Sequence, residues 1–95
     1  MIIELDYFQH QDYITVPAHV GKNIDDIKVK FYTWLNDKGN DHKYWIYHNG
    51  QKDGLLVNTE GLVEWLNTHY LKQESAKIIE GTPEIIGQVE KRIWF

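Results

Sequence analysis

The sequence predicts an α+β fold of order ββαββαββ, in a single domain over residues 1–95. Three observations predict it. Apolar and polar residues alternate near both ends, at 2–8 and 88–95, with the period of a half-buried strand. Two internal stretches repeat apolar residues every three or four positions, as an amphipathic helix does. Asn49-Gly50, Asp53-Gly54 and Gly81-Thr82-Pro83 punctuate the remainder as turns. The expected architecture is a mostly antiparallel sheet with two helices packed on one face.

The elements follow in order. Ile3, Leu5 and Tyr7 share one side of a strand over 2–8, with Glu4 and Asp6 on the other. After the polar break 9–12, Tyr13-Ile14-Thr15-Val16 reads as its hairpin partner, stopped by Pro17, which has no N–H to donate. A helix over 23–38 takes Asn23 as N-cap and carries Asp25 and Asp26 in its first turn, where they complement the helix dipole. Ile24, Ile27, Phe31, Trp34 and Leu35 form its apolar stripe, and Gly39 ends it. Tyr44-Trp45-Ile46-Tyr47 is a strand by β-propensity, 49–54 contains the following turn, and Leu55-Leu56-Val57 returns. A second helix starts at Asn58 or Thr59 with Leu62, Val63, Leu66 and Tyr70 as its stripe and Trp65 and His69 at the margin. Residues 76–80 and 88–95 supply the last two strands. In the final one Val89, Ile93 and Phe95 share one side, and Glu90, Arg92 and Trp94 the other.

Trp-Leu-Asn recurs at 34–36 and 65–67. If that match is a repeat, the inner chain is two βαβ-like halves, 13–48 and 54–80, in the ferredoxin-like order with extra edge strands. If it is coincidence, since Trp and Leu both suit an apolar helix face, the α+β reading stands without it.

Composition removes several function classes. With no cysteine among 95 residues there is no disulfide, thiolate metal site or cysteine nucleophile. No apolar run approaches a membrane span, and the acidic first strand is unlike a secretory leader, so a cytoplasmic location is expected. Nine of the ten cations are Lys, and eleven Ile and six Asn accompany them, a bias of AT-rich coding that points to a low-GC bacterium or one of its phages. His10, His19, His42, His48 and His69 show no i, i+4 pair or metal-ligand motif, so no metal and no cofactor is expected. Ser75 is the one serine and stands outside any nucleophile motif, and the seven glycines form no phosphate-binding loop. No enzymatic activity and no small-molecule substrate are expected.

Aromatic residues remain: four Trp, six Tyr and three Phe. If the helices cover the face bearing Tyr44, Ile46, Ile93 and Phe95, alternation leaves Trp45, Tyr47 and Trp94 on the open one. With Lys43 beside them, these are the candidate binding residues of a non-catalytic protein-binding or regulatory module, acting as a homodimer or on a protein partner. An acidic mimic of nucleic acid that inhibits a host nuclease or polymerase is one specific version, given the net charge of −4. The alternative is a single-stranded nucleic-acid binder using Tyr44, Trp45, Tyr47, Lys43 and Lys52. The acidic balance and the absence of aromatics at 55–57 weigh against it.

Overall fold

A computed structural model describes residues 1–80 and 87–95; the turn expected at 81–83 lies outside the described residues. The chain runs β1 (Ile2–Asp6), β2 (Gln11–Thr15), α1 (Ala18–Lys22), α2 (Ile24–Asn36), β3 (Trp45–His48), β4 (Gln51–Leu55), α3 (Thr59–Trp65), a π-helical turn (Leu66–Tyr70), β5 (Lys77–Ile79) and β6 (Lys91–Trp94). The α+β class is as expected. Four strands form one mixed sheet in the order β5-β2-β1-β6. β1 pairs antiparallel with β2 and parallel with β6, and β2 pairs antiparallel with β5.

The core lies between this sheet and the helices. Ile3, Leu5, Ile14 and Ile93 point inward, where they meet Val20, then Ile24, Ile27, Phe31 and Leu35 of α2, and Leu62, Trp65 and Leu66. The α2 stripe is the one its spacing predicts, except that Trp34 stands half-buried at its edge. Glu4, Tyr13, Arg92 and Trp94 occupy the opposite sheet face by strand parity and register. The buried helical side chains join the inward cluster, so the described helices lie on one side of the sheet.

Two expectations are corrected. The helix over 23–38 is α2, but a short helix the sequence reading omitted precedes it: Pro17 starts α1 rather than merely ending β2, and Asn23 sits at the junction (φ −114°, ψ 21°). Its side chain does not cap α2; its amide donates to the His19 carbonyl at 2.8 Å. Asn58 does cap α3, its Oδ1 accepting from Gly61 N–H at 2.7 Å.

The ferredoxin-like core does not form. β3 and β4 pair only with each other, as a two-stranded ribbon separate from the main sheet. Asn49 and Gly50 both adopt positive φ (52° and 75°), the signature of a two-residue type I′ hairpin. Asp53-Gly54 is therefore not a turn; it lies inside β4, opposite an irregularity at Ile46/Tyr47. The physical reason is composition. Gln51-Lys52-Asp53-Gly54 offers no apolar face to bury, so β4 cannot sit between neighbours in a covered sheet.

Candidate functional site

Two places on the molecule hold the candidate residues. The first is the face of the four-stranded sheet opposite the described helices. At its centre Tyr13 donates its phenol to Glu4 Oε1 (3.2 Å), and Arg92 Nε meets Glu4 Oε2 at 3.0 Å. Tyr13 and Glu4 are buried, and burial first, then the Glu4 carboxylate, pushes the Tyr13 phenol up. Beside this network Trp94 pairs in register with Asp6 and is 66% exposed. Two residues beyond Asp6, at the tip of the β1–β2 hairpin, Phe8 is 84% exposed with φ +76°. A left-handed backbone costs a bulky side chain about 1–2 kcal/mol. The Asp6 carboxylate, accepting from Phe8 N–H at 2.9 Å, holds it there. Parity marked Trp94 as outward. Nothing in the sequence marked Phe8, whose strain follows from a turn that lacks glycine.

Beneath that tip lies a hydrogen-bonded chain. The Thr59 hydroxyl donates to Asp12, so Tyr7 OH, 2.7 Å away, donates to Thr59. The Tyr7 ring stacks on His10 (4.8 Å, 10° between planes). Burial pushes the Tyr7 phenol up to about 12. The folded state thus favours the protonated phenol. Its contribution to stability is complete below about pH 10, the ordinary tyrosine value, and is lost as pH rises towards 12. Absorbance titration at alkaline pH is expected to show one tyrosine ionising near 12 that Tyr7→Phe removes; an unchanged curve would contradict the assignment.

The second place is a cleft between the end of α2, the segment before β3, and α3. Its volume is about 180 Å³. Trp34 forms one wall, with the His42 ring at 4.6 Å and the His69 ring at 5.2 Å. Tyr44 and Trp65 form the floor, and both are buried. Gly61 lets the Tyr44 ring approach α3, since a Cβ there would lie 3.3 Å from Tyr44 Cζ. His42 is held at both nitrogens: Nδ1 accepts from Tyr44 N–H (3.2 Å), which leaves Nε2 to donate to the Leu35 carbonyl (3.0 Å). Glu64 lies at the rim, accepting from Tyr44 OH (3.0 Å) and pairing with Lys43 Nζ (2.8 Å). The hydrogen bonds from Lys43 and then Tyr44 hold the Glu64 carboxyl below its ordinary value. The same Glu64 contact raises Lys43. The π-helical turn brings Thr68 and His69 to the cleft. Such turns are rare and recur at functional sites.

The four candidate residues do not form one surface. Trp45 is 9% exposed, its indole N–H donating to the Asn40 carbonyl (2.6 Å) and its ring stacked on His42 (5.0 Å, 6°). Its placement on an open face is therefore corrected. Tyr44 precedes β3 rather than belonging to it, so both Tyr44 and Trp45 turn inward, and Ile46 is exposed. Tyr47, 56% exposed, stands on the ribbon, away from the sheet that carries Trp94. Lys43 is exposed but engaged with Glu64. For single-strand stacking this leaves Tyr47 alone of three rings, with Lys52 paired to Asp41.

Among the described residues no three His, Asp or Glu side chains converge as a metal site would need, and no helix is long and apolar enough to cross a membrane. Comparison with family models, curated proteins and solved structures gives no match.

Proposed function

We propose that the chain is a small non-catalytic protein-binding module that engages its partner through the exposed Phe8–Trp94 end of the sheet face opposite the helices. The observation that carries this reading is the pair of aromatics exposed at one sheet end, one of them on strained backbone. Backbone strain of this kind persists where the surrounding structure enforces it, as Asp6 does here, and it clusters at functional sites. Trp and Arg are enriched at interface hot spots, and the exposed Trp94 and Arg92 lie together on this face. The first occupant proposed is a second copy of the chain. Towards this end the face carries both signs of charge, Asp6 in register with Trp94 and Arg92 two residues before it, so it can meet itself about a two-fold axis without net repulsion.

Phe8→Gly separates a functional strain from an incidental one. Glycine adopts φ +76° freely, so the variant is expected to gain about 1 kcal/mol in urea denaturation. On this reading it also associates more weakly than the wild type. A variant that gained stability and associated as before would remove Phe8 from the interface.

A further inference from the structure

We propose that the cleft between Trp34 and Glu64 binds a small alkylated ammonium group. Recognition of such a cation needs aromatic faces around a small cavity and a negative charge at its edge. The cleft has both. Trp34, Tyr44 and Trp65 line it, and one carboxylate, Glu64, stands at the rim. Its volume of about 180 Å³ is below the usual 300–1,000 Å³ of drug-sized pockets and suits a headgroup rather than a large ligand.

The chain itself indicates the sign of the charge. Lys43 Nζ lies 2.8 Å from Glu64 and 5.5 Å from the centre of the Tyr44 ring, so an ammonium already rests between the carboxylate and an aromatic face. That internal cation is replaceable. The Lys43 side chain is 68% exposed, and ion pairs this open to water contribute little to stability. Swinging Lys43 into water thus opens the position at little cost. A trimethylated ammonium is less strongly hydrated than a lysine and gives up less on entering. An anion is disfavoured, because it would meet Glu64. The π-helical turn contributes His69, whose ring lies 5.2 Å from Trp34, to the same wall.

The test is a calorimetric titration of the full chain with choline chloride, against 3,3-dimethyl-1-butanol, its uncharged counterpart. Choline is expected to bind saturably and at least about tenfold more tightly than the alcohol. Glu64→Gln is expected to weaken choline about tenfold, and Lys43→Gln, which removes the competing cation, to tighten it. Both positions are exposed, so both variants are expected to fold. No saturable heat, equal binding of the alcohol, or indifference to Glu64→Gln would overturn the proposal. Two further arms identify the source of the group. Co-sedimentation with phosphatidylcholine vesicles would assign a lipid headgroup, and a trimethyllysine peptide binding more tightly than choline would assign a modified protein. Binding confined to choline would assign the free compound.

Discussion

Phe31→Ala is expected to destabilise the protein by about 3–5 kcal/mol. Phe31 is fully buried on α2 and is the largest of the side chains with essentially no exposure. Its ring lies 5.6 Å from Trp65 and 6.4 Å from Trp34, so it connects α2 to α3. Truncation would leave a cavity bounded by two indoles and by aliphatic side chains fixed in strands, which can collapse only partly. A chain of 95 residues has a total stability of about 5–14 kcal/mol, so the loss removes a large share. Urea denaturation checks it. A decrease below about 1 kcal/mol would mean that the α2 stripe is not the centre of the core.

Trp45→Ala is expected to cost about 3 kcal/mol and to release the ribbon. Trp45 and Leu55 face each other at the base of β3–β4, and Leu56 N–H donates to the Tyr44 carbonyl at 2.8 Å. Beyond this base Ile46, Tyr47 and His48 are exposed. A two-stranded ribbon is marginal by itself in water, so its order depends on the anchored end. Hydrogen exchange in the variant is expected to lose protection across Trp45–Leu55 while β1 and β2 keep theirs. Unchanged exchange in the ribbon would show that Trp45 does not hold it.

The contrast between Trp45 and Trp94 explains how far the sequence could be read. Periodicity within one element was legible. The α2 stripe, the inward Ile3 and Leu5, the Asn58 cap and the outward Trp94 all follow from spacing and local hydrogen bonding. Pairing between elements was not. Whether β3 joins the main sheet depends on β4, whose polar composition appears in sequence only as a loop. The burial of Trp45 depends on where β3 begins, and Tyr44 precedes it by one residue.

The cleft was hidden for a related reason. Trp34 reads as a core residue of α2 and Glu64 as a solvated residue of α3, and only the tertiary fold brings them to one cavity. One signal was available: Glu64 with Thr68, and Trp65 with His69, are i, i+4 pairs that place polar and aromatic groups on adjacent lines of one helix. Phe8 carried no signal, because its strain belongs to the hairpin and not to its residue type.

Sedimentation of the wild type beside Trp94→Ala tests the proposed interface most directly. Trp94 buries little in the folded chain, so the variant is expected to keep its stability within about 0.5 kcal/mol. The wild type is expected to show a mass that rises from 11.3 kDa with concentration towards that of two chains, and Trp94→Ala to remain at the mass of a single chain over the same range. A wild type that stays at 11.3 kDa at every concentration, or a variant that associates equally well, would contradict self-association through this face.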